Sequence, residues 1–84
     1  MTEVKMYTLS TCPWCKKTKQ FFKDHNISFE YIDYDLTDDE TRAKILKEMR
    51  SHGANGFPYV KIGDKVVVGY QPDEYSNLIG INEN

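Results

Sequence analysis

Val4-Lys5-Met6-Tyr7-Thr8-Leu9-Ser10-Thr11-Cys12-Pro13-Trp14-Cys15 carries a strand-like run straight into the only two cysteines of the chain. Val4 to Leu9 is β-favouring and mostly apolar, as in a strand covered on both faces. Pro13 lacks an N–H, which is no loss at the first position of a helix. Cys12 therefore reads as the N-cap of a helix running to about His25. A disulfide between Cys12 and Cys15 would close a loop of four residues. Chain entropy gives such a loop only about 2 kcal/mol, against about 3 kcal/mol for a fifteen-residue loop. The pair is a poor staple and is well placed to open and close.

Downstream of the pair, Cys15, Thr18, Phe21, Phe22 and His25 recur at helical spacing, with Lys16, Lys17, Lys19 and Lys23 supplying the wet side. Asn26 is read as a left-handed stop. Phe29 to Tyr34 forms the second predicted strand. Thr37-Asp38-Asp39-Glu40 matches a capping box with Thr37 as N-cap, opening a helix that turns Ile45, Leu46 and Met49 inward and ends near Gly53. Pro58 introduces Tyr59-Val60-Lys61-Ile62, and Gly63-Asp64 is a hairpin turn leading to Lys65-Val66-Val67-Val68. Pro72 and Asp73 suit the first turn of a last helix reaching about Ile79. The order β-α-β-α-β-β-α predicts a right-handed parallel crossover plus an antiparallel hairpin. The expected result is an α/β fold with a mixed four-stranded sheet and helices on both faces.

Composition narrows the function classes. Eighty-four residues without repeat or low-complexity linker read as a single domain, 1–84, with a core near the lower end of what folds alone. Hydrophobic residues make up 39% and charged residues 29%, which excludes the disordered and collagen-like classes. No apolar stretch approaches the roughly 20 residues a membrane span needs. The net charge of −2, with basic residues dispersed among acidic ones, argues against nucleic acid as partner. Acidic Glu3 and the lack of a basic-then-apolar segment argue against a secretory signal. With two cysteines, too few for a secreted scaffold, the expectation is a cytoplasmic protein.

The chemistry of the pair follows from its placement. A thiolate is the nucleophile in disulfide exchange. At a helix N-terminus, unpaired N–H groups and the positive end of the dipole favour S⁻ at Cys12. Lys16 and Lys17 either add to that effect or form an ordinary solvated face. Cys12 should attack a substrate disulfide, and Cys15, one turn in and more shielded, should attack Cys12 in turn. Trp14 reads either as a recognition surface beside the sulfurs or as an aromatic packed on its own helix.

Three stretches together resemble a dithiol glutaredoxin of the thioredoxin fold: Tyr7 to Cys15, Gly56-Phe57-Pro58-Tyr59-Val60, and Gly69-Tyr70-Gln71-Pro72-Asp73. The resemblance covers nearly the whole chain. It implies a monomeric thiol–disulfide oxidoreductase that binds no cofactor, uses glutathione as co-substrate and acts on disulfide-containing proteins. It implies a cis Phe57–Pro58 bond, with Phe57 presenting backbone groups to the substrate, and substrate contacts at Trp14, Tyr70 and Asp73. Asp73 would accept from a γ-glutamyl amine, or else simply satisfy the helix dipole.

Departures from the pattern bear on the electron donor. Glutathione-using members tend to carry a cation where this chain has Leu9, and a second glycine where it has Tyr70. The Gly69-to-Asp73 run looks more like glutaredoxin-like hydrogen donors of ribonucleotide reductase, which are recharged by thioredoxin reductase. Two metal readings compete with redox chemistry. One is a zinc site from Cys12, Cys15, His25 and His52. The other is a dimer bridging a metal through two Cys-x-x-Cys pairs, although Pro13 is usually missing from cluster-bridging members. The acidic run Asp33, Asp35, Asp38, Asp39 and Glu40 reads most simply as a solvated loop and helix start.

Overall fold

Alternation along the first strand, β1 (Val4–Thr8), sets the layers of the molecule in the computed structural model, which describes residues 3–80. Successive side chains of a strand point to opposite faces. Val4 and Met6 therefore share one side of the sheet, and Tyr7 takes the other. Helix α1 (Pro13–Asp24) follows, then β2 (Glu30–Asp33), a single 3-10 turn (Tyr34–Leu36) and α2 (Asp39–Ser51). The hairpin β3 (Tyr59–Ile62) and β4 (Lys65–Val68) leads into α3 (Pro72–Ile79).

The sheet order is β2-β1-β3-β4. β1 runs parallel to β2, with Thr8 opposite Asp33, and antiparallel to β3, with Met6 opposite Val60. On one face, Val4, Met6, Val60, Ile62 and Val67 pack with Phe21 and Phe22 of α1 and Tyr75 of α3. On the other, Tyr7 and Tyr59 pack with Ile45 and Met49 of α2. The mixed sheet with helices on both faces is thus the thioredoxin fold. Gly63 opens the hairpin turn at φ +61°, where glycine meets no Cβ penalty. No described helix is long and apolar enough to cross a membrane.

Several local expectations shift. Asn26 takes the left-handed conformation (φ +56°) and ends α1 as anticipated. The second strand is shorter than Phe29–Tyr34, because Tyr34 already belongs to the 3-10 turn. That turn uses Thr37 as its own exit, at φ −96° and ψ 175°. The N-cap of α2 therefore falls to Asp38, whose Oδ1 accepts from the Thr41 N–H at 2.9 Å. Leu46 is only half-buried. Lys19 is half-buried rather than part of the wet face and pairs with Asp33 at 3.2 Å.

Candidate active site

Cys12 sits at the end of a tight turn that begins where β1 stops. Its N–H donates to the Leu9 carbonyl at 3.1 Å, and its own carbonyl accepts from the Lys16 N–H at 3.1 Å, the first bond of α1. The residue is extended (φ −83°, ψ 118°), half-buried, and no acidic residue occupies the first turn of the helix. The N-terminal N–H groups thus meet no competing carboxylate from that turn.

One turn further in, Cys15 is fully buried. The Leu9 N–H points at its Sγ at 3.5 Å. Burial pushes the Cys15 thiol up to about 12. The Leu9 N–H opposes that rise, the neighbouring Cys12 adds to it by hydrogen bond and charge, and the Lys19 ammonium opposes it. Both cysteines are free thiols. Two sulfurs on one helical turn, one half-buried at a cap and one sealed beneath it, can exchange a substrate disulfide for an internal one.

The loop presenting Cys12 is clamped from a direction the sequence did not advertise. Asp35, in the 3-10 turn, accepts from the Ser10 N–H at 2.9 Å and from Ser10 Oγ at 2.5 Å. Arg42 of α2 donates to the Asp35 carbonyl at 3.1 Å and to the Tyr34 carbonyl at 3.0 Å. The Ser10 hydrogen bonds hold the Asp35 carboxyl below the usual carboxylate range. Asp35 is therefore not a merely solvated member of the acidic run. Its partner lies 25 residues away, beyond the reach of any local spacing rule.

Trp14 is 53% exposed, and its ring stacks on Tyr70 with centroids 6.0 Å apart. It packs across onto the segment leading into α3 rather than on its own helix alone, with the Lys17 ammonium 4.6 Å above it. Tyr70 in turn meets Tyr75 edge-on at 6.4 Å. The Phe57–Pro58 bond is cis. Pro58 is buried, and its carbonyl accepts from the Gly69 N–H at 2.8 Å, so the two later stretches of the resemblance are joined directly. The Tyr75 hydroxyl donates to the Gly69 carbonyl and fixes that turn from below. Phe57 is half-buried with its ring 5.4 Å from Tyr34. Asp73 is exposed in the first turn of α3, where its carboxylate suits the positive end of the helix.

The two histidines do not join the sulfurs. His25 caps the far end of α1 and its Nδ1 lies 2.8 Å from the Phe21 carbonyl. Twelve helical residues rise about 18 Å, which separates that end from Cys12. His52 caps α2, with its Nδ1 3.0 Å from the Tyr59 hydroxyl. Among the described residues no group of three or more His, Cys, Asp or Glu is gathered to hold a metal. The four-residue zinc set is therefore dispersed in the fold.

Comparison with known proteins gives a consistent result. The glutaredoxin family model matches residues 4–67. A glutaredoxin-like 8.6 kDa protein of the rubredoxin operon of Clostridium pasteurianum is 40% identical over 77 residues, covering 90% of this chain and 96% of that protein. The crystal structure of a glutaredoxin from Archaeoglobus fulgidus superposes with a TM-score of 0.84 at 42% identity, covering 94% of this chain and 87% of that one. The NrdH-redoxin of Escherichia coli, at 23% identity and TM-score 0.75, covers 98% of this chain and 97% of its own, and shares the fold.

Proposed function

Because the chain belongs to the glutaredoxin family, we propose that it is a thiol–disulfide oxidoreductase working through Cys12 and Cys15 on protein disulfides or glutathione mixed disulfides. The observation that carries this reading is the asymmetry of the pair, Cys12 half-buried at a helix cap and Cys15 sealed one turn below. Cys12, as thiolate, attacks one sulfur of the substrate disulfide, forming a mixed disulfide and expelling the other sulfur as thiolate. Cys15 then attacks Cys12, the Cys12–Cys15 disulfide forms, and the reduced substrate leaves carrying a proton. Two electrons pass from the dithiol to the substrate, and an outside reductant must restore them. The exposed Trp14–Tyr70 stack and the Phe57 backbone are the surfaces offered to the incoming chain.

Glutathione is the proposed reductant, with the protein acting as a cytoplasmic monomer. Tyr70 favours a second reading. Its ring fills the position where glutathione-using members commonly carry a glycine, and it stacks on Trp14. That filled corner, with apolar Leu9 in place of a cation, suits a hydrogen donor of the ribonucleotide reductase type recharged by thioredoxin reductase.

The test couples NADPH oxidation to reduction of the oxidised protein. Glutathione plus its reductase should support turnover faster than thioredoxin reductase, and the reverse order selects the second reading. Cys12→Ser should abolish reduction of every disulfide offered, and retained activity would remove Cys12 as the nucleophile. Cys15→Ser should accumulate the mixed disulfide with a protein substrate, visible by mass spectrometry.

A further inference from the structure

Lys19 belongs by spacing to the wet side of α1, yet its side chain is only 17% exposed. Cys15 and Lys19 stand four residues apart on one helix, the spacing that places two side chains on one face. The ammonium does not drift along that face. It is held 3.2 Å from Asp33 Oδ1, and the ring of Tyr31 lies 3.8 Å from it. The same Asp33 oxygen accepts from the fully buried Thr8 hydroxyl at 2.5 Å. Thr8 and Asp33 are register partners at the carboxyl ends of β1 and β2. The residue after Thr8 is Leu9, whose N–H reaches the Cys15 sulfur. A cation is thus fixed by two strands at the edge of the sheet where the buried thiol lies.

We propose that Lys19, positioned by Asp33 and Thr8, supplies the positive charge that lets the buried Cys15 sulfur become anionic in the resolving step. This deepens the oxidoreductase reading and rests on it. In that step Cys15 gives up its proton, its sulfur forms a bond to Cys12 Sγ, the mixed disulfide breaks, and the departing thiolate takes the electron pair and is protonated. Without a nearby cation a fully buried thiol would have to hold negative charge in a low-dielectric site, which is costly. The other groups that face Cys15 do not supply that charge, and the Asp33 carboxylate that holds the ammonium offsets part of it. From β1's end comes the neutral Leu9 N–H, from the cap comes Cys12, and from α3 comes the Tyr75 phenol, which burial keeps protonated. Lys19 acts through Cys15 and touches no substrate.

The experiment titrates Cys15 itself. Because the Cys15 sulfur is sealed from solvent, its thiolate is read through its own reaction. The reduced protein is mixed with a small aromatic disulfide reagent that reacts at Cys12, and the rate at which Cys15 expels the bound aromatic thiol is followed against pH. Lys19→Met and Lys19→Gln, neutral replacements of different polarity, should each leave about tenfold less thiolate at a given alkaline pH, as expected for losing one nearby, partly screened charge. Lys19→Arg should restore the parent profile. With a disulfide-containing protein in place of the reagent, the neutral variants should release the mixed disulfide about tenfold more slowly. Unchanged titration in the neutral variants overturns the proposal. So does an arginine variant that titrates with them, since it would reduce Lys19 to a packing role. The titration needs no protein substrate, so it decides the role of Lys19 even if the protein-disulfide assay fails.

Discussion

Cys15 is fully buried against the Leu9 N–H, while Cys12, three residues earlier, remains half-buried at the helix cap. That difference has a consequence for stability. An ordinary thiol titrates at 9.0, and in the folded chain burial first of all pushes Cys15 to about 12. Between those values the unfolded chain has lost a proton that the folded chain keeps, so the unfolded state binds fewer protons and stability falls as pH rises. The contribution is complete below pH 9 and disappears toward pH 12. Tyr59, raised by burial from 10.0 to about 12, adds a loss of the same sign. The denaturation midpoint of Cys15→Ser should therefore fall less steeply than that of the parent between pH 9 and 12. Parallel slopes would mean that burial of Cys15 is not their source.

At the scale of an element, α2 shows how a correct pattern can be assigned to the wrong residue. Thr37 and Glu40 satisfy the capping-box spacing, but Thr37 is consumed in leaving the 3-10 turn and Asp38 caps the helix instead. Asp38→Ala should lower the thermal midpoint by a few degrees, whereas Thr37→Ala should barely move it. The Thr41 hydrogen bond holds the Asp38 carboxyl below its ordinary value of 3.8. Its contribution is therefore present above that value and lost as pH falls through the lower folded one. The gap between Asp38→Ala and the parent should close in acid, as read by melting at pH 7 and pH 3. Equal effects of the two substitutions would restore Thr37 as the cap.

For the molecule as a whole, the central strand β1 joins two apolar layers of unequal make-up. The α1/α3 side holds Met6, Phe22, Val60 and Tyr75 without exposure, while the α2 side rests on Tyr7, Ile45, Met49 and Tyr59. A domain of this size has a stability on the order of 4–12 kcal/mol. Phe22 packs against Phe21, Phe29 and Tyr75, so Phe22→Ala should cost about 3–5 kcal/mol and leave a large fraction unfolded at ordinary temperature. Circular dichroism against urea would check this. A loss below about 1 kcal/mol would mean that α1 is not anchored through this ring.

The order of elements, the crossover and hairpin, the helix cap at Cys12 and the identity of both thiols were legible in the chain. Each depends on local spacing: strand alternation, proline at a first helical turn, a glycine-led hairpin and two cysteines one turn apart. Resemblance supplied the cis Phe57–Pro58 bond, which local chemistry alone would not select. Tertiary structure decided what spacing cannot reach. It brought Asp35 onto Ser10, Tyr70 onto Trp14, the Pro58 carbonyl onto the Gly69 N–H, and Lys19 off the solvent face onto Asp33. In all four the partners are separated by 11 to 56 positions, and for Lys19 a strand had first to form beside the helix. Hydrogen bonds and ion pairs between distant segments exist only once the sheet has set their register. The sequence therefore places two sulfurs one turn apart at a helix start, and the packed fold determines how deeply each is buried and which charges face it.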